Sequence, residues 1–544
     1  MKVQPSPLLR SPPFPSVPVA VAAVSMPSDT PDLLPDDEPA KAVLADVRRA
    51  RVGGTFWARP APERADVIVR AASAHRRLPM EVPSSALWIA PEGRRSRGRG
   101  RQAAVDPWSL LGPGTILHAH GDDEWTAIAA AAGAAVRLLS PGRFGVPGED
   151  AAFLGRRVAA HVLACRYRDP FSGQSCSLEE TLALMSLWRD QIAANHQVVS
   201  AAGMAWWKRD EVRHFLWAPR AAPLRFERAG AAIRRAARRG GDVAVWPSRI
   251  PSNTGAKAAS LGIRLVQVED GFIRSAGLGA DLVPPLSVAV DPLGIHYDPS
   301  RPSGLERLLN ESDFPPALLA RAAALRARIV ASGIGKYGKA GDLPPPARRP
   351  GRRLVLVPGQ VEDDRSVLLG GGEVGGNLGL LRRVRLAEPD AEIWYRPHPD
   401  VDAGHRQGGL RDADALRHVD RVVRGGGMAA LLSLVDAVHV LTSLTGFEAL
   451  MRGREVACHG IPFFAGWGLT RDLAHVPDRR RRRLSLDELV AATLILYPHY
   501  LDPATMLPCP VEVLVSRLAV PARSRPGPLV RLRRLQGRLL RAIT

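Results

Sequence analysis

Two stretches of this chain can be laid over one another, and a repeated layout tells a chain to build one supersecondary unit twice. Leu117 to Phe144 (LHAHGDDEWTAIAAAAGAAVRLLSPGRF) aligns with Val438 to Phe464 (VHVLTSLTGFEALMRGREVACHGIPFF) with one small gap. Downstream, Tyr167-Arg168-Asp169-Pro170 with Cys176 matches Tyr500-Leu501-Asp502-Pro503 with Cys509. Upstream, Leu87 to Glu92 falls where Ile393 to His398 falls. The first copy is the eroded one. Where the second has Arg396 and His398 after its strand, the first has Ala90 and Glu92, and a carboxylate there repels an anionic ligand. Chemistry is therefore expected in the second copy, with the first kept as scaffolding.

At 544 residues the chain is too long for one typical core, so two or three domains are expected, and the apolar fraction of 46% fits globular folding. No run of about 18 uncharged apolar residues reads as a membrane span. The apolar run Val17 to Val24 lacks a signal-peptide layout, so the chain reads as cytoplasmic. The cysteines Cys165, Cys176, Cys458 and Cys509 lack metal-ligand spacing, and no metal is expected. The formal charge of +20 is carried almost wholly by arginine. Such a surface suits anionic lipid, sugar phosphates or nucleic acid, but no nucleic-acid motif with interleaved aromatics accompanies it. The densest patch, Arg479-Arg480-Arg481-Arg482-Arg483, has two readings: a solvated loop before a helix starting near Ser485, or a contact with the anionic inner-membrane face.

Along the chain, residues 1–40, rich in Pro, Ser and Val, read as a disordered leader. Residues 41–160 hold the degenerate copy, and 161–235 read as a helical connector with a helix over Ser177 to His196. Trp206-Trp207, ahead of Lys208-Arg209, reads as a packed core junction. Residues 236–340 alternate strand and helix, with strands at Val243 to Trp246, Leu265 to Val268 and Leu286 to Val290. After a proline-rich linker, residues 350–485 alternate again, with strands at Leu354 to Val357, Glu392 to Tyr395, Ala437 to Leu441 and Glu455 to Cys458. Residues 486–544 read as C-terminal helices and a basic tail. Two open α/β units of this kind place a ligand cleft at the carboxyl ends of their strands.

Each notable loop follows such a strand. They are Glu269-Asp270-Gly271-Phe272, Gln360-Val361-Glu362-Asp363-Asp364, Arg396-Pro397-His398 and Thr442-Ser443-Leu444-Thr445-Gly446-Phe447-Glu448. The last is a hydroxyl-rich turn opening a helix, suited to a phosphate, for which Arg396 and His398 supply counter-charge. The carboxylates Glu362, Asp363 and Asp364 fit a metal site, a helix cap or a nucleophile, and spacing alone leaves all three open.

The string EDGFIRSAGLGADLVPPLSVAVDPLGIHYDPSRPSGLE, from Glu269 to Glu306, closely resembles the capsular polysaccharide β-Kdo glycosyltransferases of the KpsC/LipB type, as do VPGQVEDDRS, RPHPDV, LTSLTGFEALMRG and GIPFFAGWGLT. Members of this type carry two modules in tandem; the first module here lacks the EDGF and QVEDD loops. The resemblance implies a GT-B-like α/β fold, two Rossmann-like parallel-sheet domains facing a cleft, with an extra degenerate N-terminal α/β segment. It implies a retaining transferase that uses CMP-β-Kdo, with no other cofactor, to extend the oligo-Kdo linker on a phosphatidylglycerol-type lipid. Asp364 is then the nucleophile and Glu269 or Asp270 the acid/base, with Glu269 preferred. Gln360, Arg396, His398, Ser443, Thr445, Gly446 and Glu448 would hold the donor, and Lys336 and Tyr337 its carboxylate. Similarity to the second tandem module points to a 2→7 linkage. The implied partners are CMP-Kdo, a Kdo-terminated lipid acceptor, the inner-membrane face and other capsule synthesis and export proteins, but no nucleic acid. A non-catalytic export or assembly factor is the alternative reading, disfavoured because Asp364, Arg396, His398 and Glu448 are all present.

Overall fold

The computed structural model describes residues 7–15, 23–25, 31–70, 82–90, 105–220, 222–275, 282–335, 338–339, 346–402, 404, 406–424 and 427–520. The chain divides into two compact units, one of residues 1–197 with 216–223 and the other of residues 198–215 with 224–544.

The first unit is built on a four-stranded parallel sheet in the spatial order Leu87–Trp88, Val67–Arg70, Ile116–Ala119, Ala135–Leu138. A second, antiparallel sheet joins Ala23–Ser25, Arg166–Arg168 and Ser175–Cys176. The supposed leader is therefore partly folded. Leu8, Leu9 and Phe14 are buried, and the Phe14 ring lies 5.3 Å from Trp188 and 4.7 Å from Trp217. Three apolar side chains with aromatic partners outweigh the proline-rich composition around them. Helix Leu178–Asn195 lies where the sequence places one, and it starts at a capping box, Ser177 with Glu180.

The second unit holds two sheets. The first runs Pro508–Cys509, Pro498–Leu501, Ser287–Asp291, Leu265–Asp270, Asp242–Val245, Val198–Ala202, Arg225–Glu227. Its last four strands are parallel, and the first three are joined antiparallel. The second sheet is wholly parallel: Arg421–Val422, Glu392–Arg396, Leu354–Pro358, Ala437–Val440, Glu455–Cys458, Arg471–Asp472. This is a GT-B-like pair of Rossmann-like halves. Residues Leu354–Pro358 are buried throughout, because a parallel strand covered on both faces must be apolar along its length. Val355, Val357, Ile393 and Tyr395 pack on one face against Leu380, Leu381 and Val384 of helix Gly376–Ala387.

Two expected boundaries move. Val198–Ala202 and Arg225–Glu227, inside the supposed helical connector, are strands of the first sheet. Their signal was weak because Val-Val-Ser-Ala-Ala is small and short, and it is fixed by pairing with Asp242–Val245 rather than by propensity. Beyond residue 486 the chain is not helices alone. Pro498–Leu501 and Pro508–Cys509 return to the first half's sheet through Ser287–Asp291.

Candidate active site

The first half contributes two adjacent carboxylates with different fates. Asp270 accepts from Lys208 Nζ at 3.0 Å and from Arg274 Nε at 2.7 Å. Burial alone would raise its pKa, but these two cations hold it below the ordinary carboxylate value. Arg274 is 1% exposed and also donates to Ser275 Oγ and to the Val283 carbonyl, so this network is rigid. Among the described residues Glu269 accepts the Asp270 N–H, at 3.0 Å, and a long contact of 3.4 Å from the Tyr297 hydroxyl. Burial first, then the charge of Asp270 and that of Asp364, push its pKa from 4.5 up to about 7. Of the expected pair, Glu269 thus has the proton affinity of an acid/base group near neutrality, while Asp270 is a fixed counter-ion.

The second half contributes the Gln360–Asp364 loop. Its three carboxylates separate by role. Glu362 accepts the Asn377 N–H at 2.7 Å at the start of helix Gly376–Ala387. Asp363 pairs with Arg406 at 3.2 Å on the surface. Asp364 caps helix Arg365–Gly370, its Oδ1 accepting both the N–H and the hydroxyl of Ser366, at 2.9 and 2.8 Å. Among the described residues no cluster of His, Cys, Asp or Glu is arranged to hold a metal ion. Asp364 and Glu269 belong to different halves, yet the charge of Asp364 acts on both Glu269 and Tyr297, so the two carboxylates lie near one another.

The donor-binding candidates are brought together around the same sheet end. Gln360 is buried and braces the site. Its Nε2 donates to Thr442 Oγ1, its Oε1 accepts the Thr442 N–H, and its backbone N–H donates to Asn377 Oδ1, each at 2.8 Å. It ties two loops rather than presenting an amide to a ligand. Arg396, at the end of its strand, donates to the Val423 carbonyl at 3.2 Å, and burial lowers its pKa. His398 Nδ1 accepts the Asp400 N–H at 3.2 Å, which places the imidazole proton on Nε2. Ser443 and Thr445 hydroxyls lie 3.1 Å apart. Gly446 serves packing: a Cβ there would stand 2.6 Å from Phe464 Cζ. Glu448 is buried in a small apolar pocket with Phe272, Ile329, Leu444 and Phe447. Lys336 and Tyr337 lie outside the described residues.

Three of the five arginines of the run, Arg479, Arg480 and Arg482, are engaged within the unit. Arg479 and Arg480 grip the two oxygens of Glu306, at 2.6 and 2.7 Å, from opposite halves of the unit. Arg480 is buried and also donates to the Pro462 and Ala465 carbonyls. Arg482 donates to the Ser312 carbonyl at 2.8 Å and to Glu488 at 2.9 Å. Only Arg481 and Arg483 of the five are exposed. A partner more than 170 residues away in sequence, as Glu306 is from Arg480, leaves no local trace. Lys208, Arg274, Tyr297 and Asn377 were likewise given no role by sequence, and Thr442 was read as part of the hydroxyl-rich turn, not as the partner of Gln360. Arg274 and Tyr297 sit inside the EDGF string, but nothing local distinguishes them.

Comparison with known proteins places this geometry. A family model described as "Capsule polysaccharide biosynthesis protein" matches residues 241–338 and 323–500. The capsule polysaccharide modification protein LipA of Neisseria meningitidis is 38% identical over 354 residues, 64% of this chain and 49% of LipA. The lipopolysaccharide-processing protein LpsZ of Rhizobium meliloti is 43% identical over 279 residues, 50% of this chain and 62% of LpsZ. The solved Thermosulfurimonas dismutans KpsC β-Kdo 2,4 transferase is 33% identical and superposes with a TM-score of 0.51, covering 60% of this chain and 100% of that one. The chain spans about half the length of the LipA relatives it matches. Among the described residues, no helix is long and apolar enough to cross a membrane.

Proposed function

The chain belongs to the capsule polysaccharide proteins of the KpsC/LipB type, and on that footing we propose that it is a retaining β-Kdo glycosyltransferase using CMP-β-Kdo. Its acceptor is a Kdo-terminated, phosphatidylglycerol-type lipid at the inner-membrane face, and its product the oligo-Kdo linker of a capsule. One observation carries the reading: Glu269, at the end of its strand in one half, lies close enough to Asp364, the helix cap of the other half, for the charge of Asp364 to act on it. A carboxylate nucleophile with a second carboxyl as acid/base is the pair that double displacement at an anomeric carbon uses.

In the first step an Asp364 oxygen attacks the anomeric carbon and the bond to the CMP phosphate breaks, the phosphate leaving with the electron pair. Arg396 and His398 are the groups assigned to that charge. The glycosyl ester on Asp364 is inverted relative to the donor. Esterification removes the charge that helps raise Glu269, so Glu269 ionises more readily in the intermediate. In the second step an acceptor hydroxyl attacks the same carbon, Glu269 takes its proton, and the Asp364 carboxylate is released. Two inversions retain the β configuration. Lys208 and Arg274, by holding Asp270, keep the strand end and hence Glu269 in place.

Incubating the purified protein with CMP-Kdo and a soluble Kdo-terminated acceptor, then reading the product by mass and NMR, tests the reading. A β-linked Kdo addition, with its 2→4 or 2→7 linkage assigned, is expected; absence of transfer from an intact, CMP-binding protein would contradict it.

A further inference from the structure

The tryptophan pair expected in a core is split by the fold. Trp206 is 62% exposed, Trp207 is half-buried, and Lys208 is buried. The segment leaves strand Val198–Ala202 at its carboxyl end. The two next parallel strands, Asp242–Val245 and Leu265–Asp270, end alongside in Trp246 and in Glu269-Asp270. Lys208 fastens the segment to the site: its Nζ is 3.0 Å from Asp270 and 3.5 Å from the centre of the Trp246 ring, and its charge acts on Glu269. The exposed indole is thus two residues from a direct contact with the acid/base strand.

A cation, Arg249, follows the neighbouring strand end and approaches the same loop at Gly203. Gly203 lets the loop close on the next strand end, since a Cβ there would lie 2.9 Å from the Trp246 carbonyl and 3.4 Å from Arg249 Cβ. Arg249 is exposed, and among the described residues it takes no ion pair. Its neighbours are otherwise occupied. Arg209 and Arg213 lie over the Phe226 ring, and Arg274 is buried on Asp270. A large apolar ring face and an uncommitted guanidinium, on the Glu269 side of the cleft, match a ligand with a C–H face and a carboxylate.

We propose that Trp206 and Arg249 form the acceptor subsite, the indole stacking on the C–H face of the acceptor's terminal sugar acid and Arg249 pairing with its carboxylate. This rests on the transferase reading above. It places the acceptor next to Glu269, which takes the hydroxyl proton, and away from Arg396 and His398, which are assigned to the donor.

The test compares wild type, Trp206→Ala, Trp206→Phe and Arg249→Met with CMP-Kdo and a soluble Kdo-terminated acceptor. Trp206→Ala is expected to raise the acceptor KM about threefold to tenfold, with kcat, donor KM and CMP affinity unchanged. Trp206→Phe should restore most of the loss. Arg249→Met should raise the acceptor KM about tenfold, and less for an acceptor whose carboxylate is converted to an amide. Unchanged acceptor KM in both variants, or an equal rise in donor KM, overturns the subsite while wild-type transfer leaves the transferase reading standing. If Trp206→Ala instead weakens binding to phosphatidylglycerol vesicles at unchanged acceptor KM, the residue is a membrane contact and the proposal fails. A wild type that binds CMP but transfers nothing removes the transferase reading itself.

Discussion

The sheet of the first unit and the second sheet of the second unit share one ladder but not one set of loops. Ile68 pairs with Leu117 and Leu117 with Val136, as Leu356 pairs with Val438 and Val438 with Val456. Tyr167 pairs with Cys176 as Tyr500 pairs with Cys509, and each tyrosine hydroxyl donates to a carbonyl of the preceding helical segment, Val162 or Leu494. Even the supposed leader takes part: Ala23–Ser25 pairs with Arg166–Arg168 as Ser287–Asp291 pairs with Pro498–Leu501. Followed through the ladder, Leu87 stands in the place of Trp394, one residue along from the Ile393 of the sequence alignment. Ala90 then corresponds to Pro397, and a two-residue edge strand gives the alignment nothing to correct itself by.

The loops diverge. Where the second sheet ends in Thr442, Ser443 and Thr445, the first ends in Gly121, Asp122 and acidic residues held by the chain's own arginines. Asp123 accepts from Arg70 at 3.0 Å, with both side chains buried, and Arg70 lies 4.6 Å from the centre of the Trp125 ring. Arg10 pairs with Glu124. The strand interior is preserved because burial sets it, whereas the polar loop is filled by internal ion pairs that leave no room for an anion. The difference teaches that a ladder can outlast its site.

The largest expected effect breaks this contrast at Asp364. Asp364→Asn should lower transfer by at least about a thousandfold while CMP binding, measured by calorimetry, persists. Asparagine also caps a helix, so Tm should barely move. In the first unit the reverse is expected. Asp123→Ala strands Arg70 in the interior and should cost about 3–5 kcal/mol in denaturant unfolding, with transfer per folded molecule unchanged.

A pH series sharpens the contrast next. Transfer should rise with pH toward about 7, as Glu269 ionises, and flatten at a low level in Glu269→Gln. The sign for stability is opposite. Glu269 holds its proton more tightly folded than unfolded, so its contribution is full below 4.5 and is lost as pH rises to about 7. Glu269→Gln should therefore gain stability relative to wild type across that window, as thermal melts would show. The smallest effect concerns the arginine run, which has no counterpart after Phe144. Serine at Arg481 and Arg483, the two exposed members, should weaken binding to phosphatidylglycerol vesicles by about 1 kcal/mol each at most, leaving transfer to a soluble acceptor intact.

What was legible in the sequence follows from locality. Strands such as Leu354–Pro358 and Glu455–Cys458 show as apolar runs because burial on two faces demands them. The site loops show because they follow those strands directly. What was hidden depends on partners distant in sequence: the Glu306 grip on Arg479 and Arg480, the Lys208 contact that sets Asp270 apart from Glu269, and the exposure of Trp206 beside a buried Lys208. The strand Val198–Ala202 was hidden for the same reason, being short, small and defined by its neighbours.

The central claim is that Asp364 carries the sugar between two inversions. Intact-protein mass spectrometry after brief exposure to CMP-Kdo without acceptor tests it most directly. One added Kdo is expected, mapped by fragmentation to Asp364 within the peptide Gln360 to Ser366 and absent in Asp364→Asn. Substantial turnover by Asp364→Asn with retained β configuration, or an adduct on another residue, would contradict it.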